Sequence, residues 1–129
     1  MFDPRDLEGA RRWIDDWHAG IEVRARRTRE LSERLALLSG TARSPDGLVA
    51  VRLGAGGELI GLELGEGNRG RAPAVIAEEI LGAVRVAKEG LLHGVTVAVA
   101  QTVGVESATG RAVIASYGCG ASGEGAPGG

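Results

Sequence analysis

The sequence predicts an α+β fold: a long helix, a three-stranded antiparallel meander, a second long helix and a short C-terminal helix. Three observations predict it. Residues 44–64, SPDGLVAVRLGAGGELIGLEL, are the one stretch where a two-residue apolar period coincides with turn chemistry. On either side, over 3–38 and 73–103, apolar residues recur instead at spacings of three and four. A small meander with one bare apolar face is marginal in water, so the flanking helices must cover it.

The first helix is predicted from Asp3 to Leu38. Asp3 suits the N-cap, Pro4 the first helical position, and Asp6 complements the helix dipole. Leu7, Ala10, Ile14, Trp17, Ile21, Arg24, Thr28, Leu31, Leu35 and Leu38 form a coiled-coil seam, with polar interruptions at Arg24 and Thr28. Ser39-Gly40 stops it, with Gly40 as a left-handed C-cap. Such a helix spans about 50 Å at ~1.5 Å per residue, against roughly 20 Å for a six-residue strand. More than half of it overhangs the sheet, and its seam needs cover from the second helix or from another chain. A homodimer is the economical answer.

Thr41-Ala42-Arg43 reads as a short first strand. Ser44-Pro45-Asp46-Gly47 is the turn after it: Pro45 presets φ, Asp46 bonds its own backbone, and Gly47 takes the conformation that a Cβ disfavours. Val49, Val51 and Leu53 alternate with Ala50 and Arg52, and past Gly54-Ala55-Gly56-Gly57 the residues Ile60, Leu62 and Leu64 alternate with Gly61 and Glu63. Gly65 to Gly70 reads as a flexible loop. Pro73 then opens a helix predicted to run to about Val103, with Ile76, Ile80, Val84, Ala87, Leu91, Val95, Ala98 and Thr102 on one face. Within it Val95 to Ala100 fits a strand equally by alternation, and Gly82, Gly90 and Gly94 each cost a helix about 1 kcal/mol relative to alanine. The continuous apolar face favours helix. Ser107 is placed to cap a short helix from Ala108 to Tyr117. One domain, 1–117, thus precedes a glycine-rich tail, 118–129, whose composition predicts disorder.

Composition narrows the function classes. At 129 residues, 43% hydrophobic and 25% charged, the chain is that of a soluble globular domain. Net charge is -2, so no global field draws it to nucleic acid, and any such contact must come from a local patch. Lys88 is the sole lysine, and arginine carries the remaining basic charge. The single Cys119 excludes an intrachain disulfide and a cysteine-based metal site, which fits a reducing compartment. The start, MFDPRDLEG, is acidic and lacks the apolar core of a secretory signal. The uncharged stretch from Gly90 to Val105 is shorter than the ~20 residues that cross a bilayer. A cytoplasmic protein without a membrane partner is the expectation.

Little in the chain suits catalysis. Gly65-x-Gly67-x-x-Gly70 matches the dinucleotide-binding fingerprint, but the strand before it belongs to an antiparallel hairpin and no parallel strand follows. His18 and His93 have no cysteine or paired carboxylate at metal-ligand spacing, and there is no nucleophile elbow. Asp15-Asp16 and Glu78-Glu79 read as solvated helical acids. No enzyme, cofactor or metal is expected. The densest basic patch is Arg24-Ala25-Arg26-Arg27-Thr28-Arg29, which on a helix is able to lie along a phosphate backbone. A salt-bridged face is the favoured reading of the residues themselves, since Glu22, Glu30 and Glu33 stand four residues from Arg26 and Arg29, and Glu30 four from Arg34; Arg24 alone has no acid at three or four residues. Trp13 and Trp17 share a face, which seam packing explains before base stacking.

The order of elements, the Ser-Pro-Asp-Gly turn, Val49-x-Val51, Gly57-x-Leu59, Leu62 and the Pro73 helix with Ile76, Ile80, Ala83 and Ala87 resemble the YbaB/EbfC nucleoid-associated family. Asp3-Pro4-Arg5-Asp6-Leu7, Thr102-Val103-Gly104 and Thr109-Gly110-Arg111-Ala112 resemble an actinobacterial branch of it. The likeness covers roughly residues 3–117. It implies a tweezer-shaped homodimer of the nucleoid, without enzyme activity or cofactor, that binds double-stranded DNA weakly, salt-sensitively and with little sequence preference. On that footing Arg24, Arg26, Arg27 and Arg29 are the DNA-binding candidates, and Leu7, Ile14, Trp17, Ile21, Leu31 and Leu35 the dimer-interface candidates. The other reading is a dimeric adaptor whose coiled-coil arms hold a protein partner.

Overall fold

The computed structural model of the chain describes residues 4–122. Helix α1 (Pro4–Ala36) leads into strands β1 (Gly40–Arg43), β2 (Val49–Leu53) and β3 (Leu59–Leu64), followed by helices α2 (Pro73–Gln101) and α3 (Ala108–Ser122). The sheet is the predicted antiparallel meander, in the order β1-β2-β3. The predicted cap Asp3 and the tail past Ser122 lie outside the described residues.

The alternation in β2 builds the first core. Val49, Val51 and Leu53 are buried on one face, against Ala83 and Ala87 of α2, with Ala42, Ile80 and Val84 packed around them. Small residues on the helix let its backbone come close to the sheet. Gly40 shows how close: a Cβ there would run into the carbonyl of Ala87. Its predicted role as a left-handed cap is therefore corrected. Gly40 is the first residue of β1, paired with Leu53, and its φ is not positive. Gly47 does adopt the predicted left-handed conformation, with φ 76°.

β3 is irregular where β2 is not. Arg52 pairs with Gly61 but Leu53 pairs with Leu59, so Ile60 is an extra residue at a bulge. Leu62 and Leu64 stand opposite Val51 and Val49 on the helix-facing side of the sheet, yet both stay exposed, because α2 lies over β1 and β2. The loop after β3 is more ordered than its glycines predict. Glu66–Asn68 forms a 3-10 turn, and the buried Asn68 donates its side-chain amide to the carbonyls of Leu48 (2.8 Å) and Gly65 (3.1 Å).

A second core joins the three helices. Leu31 of α1 meets Val95, Ala98 and Val99 of α2, and Leu35, Leu38, Val103, Val113, Ile114 and Tyr117 close around them. Val95 to Ala100 is thus helix, since burial at 95, 98 and 99 follows a helical rather than a strand period. Gly94 makes room for Leu38, whose side chain would lie 3.2 Å from a Cβ placed there. α2 ends where Gly104, at φ 90°, returns its N–H to the carbonyl of Val99 at 2.7 Å. Ser107 caps α3 as predicted, its hydroxyl accepting from the N–H of Gly110 at 2.9 Å. α3 continues to Ser122, past Tyr117, where the sequence places the end of the helix. Anchorage of Val113, Ile114 and Tyr117 in the second core carries the helix into the glycines that follow.

Candidate nucleic-acid interface

α1 joins the rest of the molecule only by its C-terminal end. From Asp6 to Glu30 every side chain is exposed except at the half-buried Gly20 and Val23; burial begins at Leu31. Asp6 to Glu30 therefore form a bare arm roughly 40 Å long at ~1.5 Å per residue. Nothing in the sequence ends the helix early. It has no internal proline, and Gly9 and Gly20 are isolated.

Arg24, Arg26, Arg27 and Arg29 all lie exposed on this arm. The predicted four-residue ion pairs with Glu22, Glu30 and Glu33 do not form. Among the described residues the ion pairs are Arg71 with Asp46, Arg71 with Glu79, and Arg111 with Glu106. Solvated pairs on a helix surface are worth at most about 1 kcal/mol, too little to hold long side chains together. The acids one turn away still temper the local potential, but the guanidinium groups keep their donors for another partner. Arg24 folds back along the helix, donating from Nε to the carbonyl of Gly20 at 3.3 Å. Its position on the seam places it one turn from Ile21 on one side and one turn from Arg27 on the other.

The seam divides into two parts. Leu7, Ile14, Trp17 and Ile21 are exposed by 41, 44, 51 and 39%. Trp13 stacks on Trp17 with ring centroids 6.4 Å apart and planes 6° from parallel, and His18 meets Trp17 edge-on. That apolar surface has no cover among the described residues. Leu31, by contrast, is 2% exposed and Leu35 is half-buried, both against α2. Leu31 is therefore corrected from a dimer-interface residue to a core residue of its own chain, and Leu35 keeps only part of its surface. The second long helix covers the C-terminal end of the seam and reaches no further.

Other candidates resolve into structure. Two glycines of the fingerprint, Gly65 and Gly67, pack the loop against Leu48, while Gly70 turns the chain at φ 82°. Among the described residues no group of three or more His, Cys, Asp and Glu side chains is placed to hold a metal ion. Among the described residues no helix is long and apolar enough to cross a membrane. α2 leaves Val75, Val86 and Val97 exposed along one flank, with Gly82 and Gly90 open between them, a second apolar stripe without cover.

The sequence reading overlooked a polar cluster at the head of α2. Ser44 donates its hydroxyl to Asp46 at 2.6 Å, and Leu48 donates its N–H to the same carboxylate at 3.0 Å. Arg71 lies 3.4 Å from Asp46, donates to Asn68 Oδ1 at 2.9 Å and pairs with Glu79. The Ser44 bond, then the Leu48 N–H and the Arg71 charge, hold the Asp46 carboxyl below its ordinary range. This cluster ties the β1–β2 turn, the loop and α2 together. No family model, curated protein or solved structure matches the chain.

Proposed function

We propose that the protein is a non-enzymatic homodimer that binds duplex DNA through the arginines of its α1 arms, with little sequence preference. The observation that carries this reading is the exposed run Arg24 to Arg29, which makes no ion pair with a described residue, on a helix that leaves the core. Guanidinium contacts to phosphate oxygens carry no sequence information, so affinity that arises from them through counterion release tolerates sequence. The pattern resemblance to the YbaB/EbfC family points the same way. Dimerisation rests on the uncovered stripe Leu7, Ile14, Trp17 and Ile21, on the flank of α2, and on the two open edges of the sheet.

An anisotropy titration of unrelated duplexes tests the proposal. If each arm of a dimer places two or three arginines on phosphates, the slope of log K against log salt is about -3.6 to -5.4, at ~0.9 per phosphate. Arg24→Glu with Arg27→Glu abolishes binding to all duplexes alike while the circular dichroism spectrum stays the same. A second reading, a protein adaptor, is favoured by the exposed Trp13–Trp17 stack, which offers a broad aromatic surface to a partner helix. No DNA binding at low salt, with the dimer intact, decides for the adaptor.

A further inference from the structure

We infer that the face of the sheet turned away from α2 is a second phosphate-binding surface, through which Arg43 and Arg52 extend the track of bound duplex DNA. This rests on the DNA-binding reading above and adds a surface to it.

Register and alternation set the residues of this face. Val49, Val51 and Leu53 point into the core, so Ala50 and Arg52 point outward. Thr41 pairs with Arg52 and Arg43 with Ala50 on one side; Gly61 pairs with Arg52 and Glu63 with Ala50 on the other. Directly opposed residues share a face. The outward face therefore carries Thr41, Arg43, Ala50, Arg52, Gly61 and Glu63. These six line one shallow trough of about 680 Å³, with Ile60 at its bulged rim.

Three features distinguish the trough from an ordinary solvated face. Its arginines are exposed and neither makes an ion pair with a described residue, although Glu63 lies on the same face. Arg43 and Arg52 are diagonal neighbours across β1 and β2, a relation that sets Cβ atoms about 7–8 Å apart or a little less. Phosphates recur every ~3.4 Å of axis along each DNA strand, so two long, flexible side chains set this far apart are within reach of two phosphates of one strand. The floor between them is small: Ala50 and Gly61 leave the strands' own surface open. A Cβ at Gly61 would already stand 3.3 Å from that of Arg52, so a larger residue would crowd the arginine stem. The Thr41 hydroxyl adds an uncharged donor of the kind that also contacts phosphate. Glu63 alone opposes, which leaves the face net positive on a chain whose formal charge is -2.

The test compares Arg43→Gln with Arg52→Gln, made together, against the wild-type full-length dimer on two unrelated duplexes. Both side chains are exposed, and melting temperature and dimer mass check that the variant is intact. The double variant is expected to bind both duplexes more weakly by the same factor, with the salt slope shallower by about 1.8 for each protomer face engaged, at ~0.9 per contact. Arg43→Lys with Arg52→Lys is expected to restore the slope, because lysine still neutralises a phosphate. Wild-type affinity and slope in the glutamine variant, with the wild type binding DNA, overturn this inference alone. A wild type that binds neither duplex overturns it together with the DNA-binding reading.

Discussion

Arg71 lies 3.4 Å from the carboxylate of Asp46 and 3.3 Å from that of Glu79, so a single guanidinium joins the turn between β1 and β2 to the second turn of α2. Glu79 depends on it, since its other oxygen is buried without a hydrogen-bond partner. Arg71→Ala is expected to cost about 1–3 kcal/mol, because it leaves a partly buried carboxylate unpaired. Arg71→Lys recovers only part of this, since an ammonium lacks the planar fork that serves Asp46, Asn68 and Glu79 at once. Urea unfolding measures both. Adding Glu79→Gln to Arg71→Ala is expected to cost less than the sum of the two single changes.

Acid is expected to loosen the same cluster. The folded-state pKa of Asp46 is lowered, first by the Ser44 hydroxyl, then by the Leu48 N–H and by Arg71. A depressed carboxylate stabilises the fold at any pH above its unfolded value, and that contribution is lost as pH falls through the folded value. Stability measured by urea unfolding should therefore decline below the ordinary aspartate range, with Asp46→Asn flattening the decline. An equal decline in the variant would assign it to other carboxylates.

Two glycines separate what a turn requires from what packing requires. Gly47→Ala strains a residue at φ 76° and is expected to cost about 1–2 kcal/mol, with the rest of the fold unchanged. Gly40→Ala drives a methyl group into the Ala87 carbonyl, so β1 must lift from α2, at about 1–3 kcal/mol. Because the atom it meets belongs to the main chain, no side-chain change at position 87 rescues it. Hydrogen exchange is expected to rise across β1 in the second variant only.

That contrast also marks how far the fold was legible. Gly47 sits inside a Ser-Pro-Asp-Gly turn whose chemistry is local, and the sequence specified its conformation. Gly40 follows a helix and so resembles a cap, but its role depends on Ala87, far along the chain, which no local pattern records. The meander, the Ser107 cap and the helical course of Val95 to Ala100 were readable because each rests on a period or a turn. The cluster of Asp46, Asn68, Arg71 and Glu79 was not, since its members come from a turn, a loop and a helix whose proximity is tertiary. On α1, spacing placed Arg24 to Arg29 and the acids one turn apart. It did not reveal that the pairs stay open, because solvated pairs are too weak for spacing to enforce.

The two ends of the α1 seam are expected to respond oppositely to charge. Leu31 is buried against Val95, Ala98 and Val99 of its own chain. Leu31→Glu would place a carboxylate in that core, and the protomer should unfold or melt far lower, whatever its oligomeric state. Ile14 and Ile21 are 44 and 39% exposed and touch no core cluster, so Ile14→Glu with Ile21→Glu leaves the protomer's packing intact. If a second chain covers them, that double variant splits the dimer while retaining the secondary structure seen by circular dichroism. Light scattering at micromolar concentration, paired with thermal melts, reads both effects. A variant that stays dimeric would move the interface off the arm and onto the flank of α2, where Val75, Val86 and Val97 are the next side chains to charge.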